Sequence, residues 1–315
     1  MMLQYLVILL DDMSASWCHY GNSKTERRPV SPVDLQAGIL FAMKHNLAIQ
    51  FVYPPYLVSP ACREAIESID HVKIAPAESD NAALADVAVV NSCHPLMAER
   101  IETYRNRIVI FRTGKRELFQ QGDALKNLAG KVKRLNIIIT DVDTFTDEDF
   151  DTYRQWLAVL GSCVADSKEN HPQINLLTDR LLLKKMNSCN AGTEHITLAP
   201  DGRFYVCPAF YLEGESESIG DPASGVHLKN PQLYQLDYAP LCRRCDAWHC
   251  KRCVWLNRKT TREINTPSHE QCVVAHLERN ASEKLLHELK TAGYYADSEI
   301  PPIHYLDPYE VIKRF

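Results

Sequence analysis

Apolar residues come in short, dense runs through the front of the chain: Tyr5 to Leu10, Leu47 to Tyr53, His71 to Ala75, Val87 to Asn91, Ile108 to Arg112, Leu135 to Thr140 and Ile174 to Leu177. Each run is too short for a helix and is rich in β-branched residues, which predicts strands. The segments between them open with helix-start signals. Ser31-Pro32 and Ser59-Pro60 each set a capping hydroxyl before a proline at the first helical position, where the missing N–H costs nothing. Thr146 followed by Asp149 is a similar start, leading to Trp156 and Leu160 on one face. The alternation predicts an α/β fold of repeated βα units with a mostly parallel sheet, either open or part of a barrel.

From about Met186 the pattern changes to cysteines, short strands and turns. Ile196 to Val206 reads as a hairpin turning at Pro200-Asp201-Gly202. Further on, Ser268 and Gln271 are spaced as a capping box, although Thr266 before Pro267 is an equally good cap. Val274, Leu277, Ala281, Leu285 and Leu289 then continue at helical spacing until Gly293 supplies a stop. The expected organisation is a βα domain over 1–186, a small cysteine-rich domain over 187–292 and an extended arm over 293–315.

With 315 residues, the chain is long enough to bury a substantial core. A net charge of −5 argues against nucleic acid as a partner, since phosphate contacts call for a basic surplus. Tyr5 to Leu10 is too short to span a bilayer, lacks a basic flank and runs into Asp11-Asp12, so neither a membrane span nor a secretory signal is expected. A cytoplasmic, reducing location follows as an expectation. There, eleven cysteines read as metal ligands plus small buried residues rather than as a disulfide framework.

Seven of the eleven fall late in the chain: Cys189, Cys207, Cys242-Arg-Arg-Cys245, Cys250-Lys-Arg-Cys253 and Cys272. Closely spaced Cys-x2-Cys pairs present thiolates on tight turns, and thiolates select zinc, copper(I) or iron–sulfur clusters over hard cations. Seven ligands exceed the needs of one tetrahedral ion, so two neighbouring centres are expected. Arg243, Arg244, Lys251 and Arg252 interleave the cysteines, and positive charge nearby favours deprotonated ligands. Structural zinc is the competing reading.

The order of Cys189, Gly202, Cys207, the paired block and Cys272 resembles the SPASM domain, the auxiliary-cluster module of radical S-adenosylmethionine enzymes that modify peptides. Cys189-Asn-Ala-Gly192, Ala199-Pro-Asp-Gly202 and Val206-Cys-Pro208 match that module as well, while the paired block is one residue shorter in each of two intervals. The resemblance implies two [4Fe-4S] clusters. Cys242, Cys245, Cys250 and Cys272 would hold one, and Cys189, Cys207 and Cys253 the other, with an open fourth position that His195 or a substrate thiolate could fill. Cys250 to Asn257 and Asn265 to Cys272 further resemble the CXXX repeat peptide maturases, which implies a ribosomally made, cysteine-containing precursor peptide as partner, together with a partner maturation enzyme.

The radical enzymes need Cys-x3-Cys-x2-Cys after the first strand. Here Ser14 and Gly21 stand in the first and third positions and only Cys18 remains, with Tyr20 beside it. One thiolate cannot hold a four-iron cluster, so reductive cleavage of S-adenosylmethionine by the standard route is not expected. The front domain is thus read as a degenerate (β/α) barrel-like relative. Two rival functions stay open: a non-catalytic peptide-recognition or scaffold protein with structural metals, and a thiol-based transferase using Cys18 near His19.

Overall fold

The structure is a computed structural model that describes residues 3–22, 24, 27–91, 104–105, 107–120, 122–166, 172–183 and 185–294. In chain order the strands are β1 (Tyr5–Leu9), β2 (Ala48–Val52), β3 (Val72–Pro76), β4 (Val87–Asn91), β5 (Ile108–Thr113), β6 (Arg134–Ile139), β7 (Gln173–Ile174), β8 (His195–Leu198), β9 (Phe204–Tyr205), β10 (Gly220–Asp221) and β11 (Gly225–Val226). The helices are α1 (Pro32–Lys44), α2 (Pro60–Glu67), α3 (Lys115–Gln120), α4 (Gly122–Ala129), α5 (Asp147–Ala165), α6 (Asp179–Leu182), α7 (Pro208–Glu213), α8 (Val254–Thr261) and α9 (His269–Thr291). The fold is α/β with mostly parallel strand pairing. Among the described residues no helix is long and apolar enough to cross a membrane.

By its contacts the chain forms two compact units, 1–90 with 190–238 and 91–189 with 239–315. This division follows packing in space, whereas the expected boundary near residue 186 follows composition.

In the first unit β1 lies between β2 and β8, parallel to both, with Tyr5 opposite Ala48 on one side and His195 on the other. Leu6, Val7 and Ile8 are fully buried, as befits a central strand covered on both faces. Complete burial of each such side chain contributes about 1.5–3 kcal/mol. Ser31 and Ser59 cap α1 and α2 as their sequences predict, accepting from the N–H groups of Asp34 and Cys62. Gly38 lets α1 close on the sheet, because a Cβ there would collide with Leu198. The predicted hairpin is present: Leu198 pairs with Phe204 in antiparallel β8 and β9, and Gly202 takes φ +77° in the turn.

In the second unit β6 pairs in parallel with β5 and β7. The long helices α5 and α9 both open with capping boxes, Thr146 with Asp149 at the predicted helix start and Ser268 with Gln271 as their spacing predicts. Ser268 rather than Thr266 is therefore the cap. Helix α9 stops where Gly293 takes φ +83°. The arm beyond Tyr294 lies outside the described residues.

Candidate metal centre

Six of the seven late cysteines, all but Cys207, belong to the second unit. Cys242 opens a single 3₁₀ turn over Cys242–Arg244, closed by the Cys245 N–H on the Cys242 carbonyl at 3.1 Å. The chain then folds back, with the Cys250 N–H donating to the Ala247 carbonyl at 2.9 Å. Three thiols receive backbone donors. The Ala247 N–H points at Cys245 Sγ at 3.4 Å, the Arg252 N–H bonds to the Cys250 sulfur, and the Leu256 N–H reaches Cys253 Sγ at 3.5 Å, making Cys253 the N-cap of α8. Such donors favour the thiolate over the thiol. The second of these turns holds Arg252 at φ +41°, a left-handed backbone that a side chain adopts rarely.

Electrostatics group the same residues. Burial pushes the Cys242 thiol up to about 12, and the neighbouring Cys272 and Cys245 add to the rise. Cys250 moves further in the same direction, by burial first and then through Cys242, Cys272 and Cys245, against the Arg252 N–H. Cys242 and Cys250 thus lie within each other's electrostatic reach, and both lie within that of Cys245 and Cys272. Arg252 sits in the same field at 2% exposure. Burial lowers its pKa, and Cys242, Cys189, Cys250 and Cys253 oppose that. Its neighbours Arg243 and Arg244 are exposed, so of the three arginines around these thiols only Arg252 is a buried counter-charge.

A pH dependence follows. In the folded, metal-free chain Cys242 and Cys250 keep their protons above the ordinary thiol value of 9.0. As pH climbs past that value the unfolded chain loses protons first, so the metal-free fold loses stability from there upward. A metal-loaded chain, with sulfurs already deprotonated, lacks this slope. Urea melts at about pH 7.5 and about pH 9.5, with and without chelator, should show the drop in the chelated sample alone.

Buried polar contacts pin this loop. Arg180 donates through Nε to the Asp246 carbonyl and through its terminal nitrogen to Asp246 Oδ2, both at 3.1 Å. His249 Nε2 lies 3.0 Å from Glu278 Oε2, and Glu278 Oε1 accepts the Tyr153 hydroxyl at 2.6 Å. His276 Nε2 stands 3.6 Å from Cys245 Sγ. Among the described residues no three His, Cys, Asp or Glu side chains converge as ligands of one ion. In a four-iron cubane each thiolate binds a different iron, so its ligands stand farther apart than those of a single ion. The donors around such a group would be the Cys242 and Cys250 thiols, each in the field of Cys245 and Cys272, with backbone N–H donors on Cys245 and Cys250 and the buried Arg252 guanidinium beside them.

The other predicted residues are placed as follows. Cys207 lies in the first unit as the N-cap residue of α7. Also in the first unit, His195 is buried in β8, its imidazole stacked on Tyr5 with centroids 4.7 Å apart. Cys18 is half-buried in the loop after β1. Ser14, in the position of the first missing cysteine, accepts from the Asp11 N–H and donates to the Val52 carbonyl, which ties that loop to the end of β2. The Tyr20 hydroxyl closes the loop on the Ala15 carbonyl at 3.4 Å. Cys62 is buried and Cys163 half-buried, and Cys93 lies outside the described residues. No cysteine among the described residues is in a disulfide.

Three acidic residues near the start of α5 have structural partners. Asp149 completes the capping box and pairs with Lys115, Asp141 accepts the Lys115 N–H, and Asp143 faces Lys259 at 3.3 Å. Sequence reasoning overlooked His276, although its place four residues after Cys272 sets both on one face of α9. It also missed Arg180 and Glu278, which only packing brings to the cysteine loop. No family model matches this α/β chain, and no match is found among curated proteins.

Proposed function

We propose that the chain is an iron–sulfur protein of peptide maturation, in which a SPASM-like cysteine region follows a degenerate barrel-like relative of the radical S-adenosylmethionine enzymes. The observation that carries this reading is the grouping of Cys242 and Cys250 with Cys245 and Cys272 beside the buried guanidinium of Arg252. A [4Fe-4S] cluster held by those four thiolates would supply one-electron chemistry and carry net negative charge. Arg252 would balance that charge, and the Ala247 and Arg252 N–H groups would bond to ligand sulfurs, which tunes a cluster's potential. Asp246, anchored by Arg180, would fix the path between Cys245 and Cys250.

On the resemblance alone, Cys189, Cys207 and Cys253 are proposed to hold a second cluster. The substrate proposed is a cysteine-containing precursor peptide, met in the cytoplasm together with a partner maturation enzyme. Anaerobic reconstitution should therefore yield about eight irons per chain with matching sulfide, and a reduced-cluster electron paramagnetic resonance signal. About two zinc ions without sulfide would replace this reading with that of a structural-metal scaffold.

A further inference from the structure

A cavity of about 630 Å³ lies wholly within the first unit, at the carboxyl ends of β1 and β2, and no residue of the metal proposal lines it. Its lining combines both signs of charge. Asp11, the second residue after β1, is 1% exposed. One carboxylate oxygen accepts the Met13 N–H at 2.8 Å, whereas the other, Oδ2, is buried without a hydrogen-bond partner. Tyr56 stands beside it. Burial, and then the Asp11 carboxylate that its hydroxyl faces, pushes its phenol up to about 12, so it stays a donor turned toward that carboxylate, although the two fall short of full hydrogen-bond geometry. Positive charge comes from Arg27, whose guanidinium lies 3.4 Å from the centre of the Tyr56 ring. The starts of α1 and α2, at Ser31-Pro32 and Ser59-Pro60, line the same space with their positive dipole ends. The remaining wall is apolar, with Leu10, Val30 and Pro54 among it.

The wall is held in place by the chain itself. The Val30 N–H donates to the Leu10 carbonyl at 2.9 Å and the Asp12 N–H to the Arg28 carbonyl at 3.1 Å, so the segment bearing Arg27 is fastened to the end of β1. The Tyr56 hydroxyl is a neutral donor, and among the described residues no cation pairs with the buried Asp11 carboxylate, which an ammonium from a ligand would satisfy. Arg27 and the two helix starts demand an anion. Arg27 already covers one face of the Tyr56 ring, which disfavours a stacked nucleobase.

We propose that this cavity binds a small zwitterion, an α-amino acid with an apolar side chain, its ammonium on Asp11 and its carboxylate toward Arg27 and the two helix starts. The two head groups are the smallest pair that answers both charges at once, and the aliphatic wall takes the side chain. The site sits where open parallel sheets generally receive ligands, outside the carboxyl ends of the strands.

Titration calorimetry of the full chain with L-leucine, leucinamide and 4-methylpentanoate tests the proposal. L-leucine should bind saturably, and each analogue, lacking one head-group charge, should bind at least about tenfold more weakly. Arg27→Met, at an exposed position, should weaken L-leucine with an unchanged circular dichroism spectrum, and Asp11→Asn should weaken it about tenfold or more. Equal binding of all three compounds, or no saturable binding of L-leucine, L-valine or L-phenylalanine, overturns the proposal, as does binding of adenosine monophosphate in their place. If Asp11→Asn fails to fold for want of its bond to Met13, the analogue series on the unaltered chain still decides.

Discussion

Replacing Arg180 with methionine is expected to destabilise the second unit by about 3–5 kcal/mol, because it strands a buried carboxylate. The guanidinium is 3% exposed and Asp246 is 4% exposed. With Arg180 gone, Asp246 retains Arg279, whose Nε lies 3.8 Å from Oδ1. That distance is too long for a hydrogen bond, and Oδ1 has none. The residual attraction places the loss toward the lower end of the range, equivalent to a melting temperature roughly 10 °C lower. The double variant Arg180→Met with Asp246→Leu should recover much of it, since replacing a buried pair by apolar groups is often neutral. Asp246 lies between Cys245 and Cys250, so the single variant should also take up less iron on reconstitution. A melting curve within about 1 kcal/mol of the unaltered chain would show that the pair is not a dominant anchor.

The strand pattern was readable because β1 to β6 each fill a short apolar run, with polar residues such as Gln50, Lys73 and Asn136 at half-buried positions. The seventh run shows the limit. Ile174 to Leu177 reads as a strand, yet β7 ends at Ile174. The side chain of Asn175 takes over the pairing there, accepting from the Ile137 N–H and donating to the Ile137 carbonyl, while the backbone turns to bond Leu177 to Ile174. Nothing in a string of residues distinguishes an amide used as a ladder rung from one that faces water. The cysteine grouping was readable by spacing alone for the Cys-x2-Cys pairs, whose members are local. Their supports were not, since Arg180 meets Asp246 across 66 residues and Glu283 across 103. Arg252 differs from Arg243 and Arg244 only through a left-handed turn that buries it, which its residue type does not announce.

Glu278→Leu is expected to be comparably damaging, at about 3–5 kcal/mol, because one carboxylate serves two buried partners. Its removal leaves the Tyr153 hydroxyl and His249 Nε2 without their bonds in a site closed to water. Each orphaned group costs about 1–3 kcal/mol. Tyr153 cannot turn away, being fully buried with its ring stacked on Trp156 at 5.8 Å between centroids. Glu278→Gln keeps an acceptor for Tyr153 and can still bond His249, so it should lose only about 1–2 kcal/mol. The difference between leucine and glutamine at this position separates the hydrogen-bonding role from mere volume, which leucine nearly conserves. Since His249 precedes Cys250, a loosened imidazole should also disorder the turn that presents that thiol. Iron retention after mild chelation should accordingly fall in Glu278→Leu and hold in Glu278→Gln. Equal melts and equal retention in the two variants would mean that the network fills space without positioning the cysteine loop.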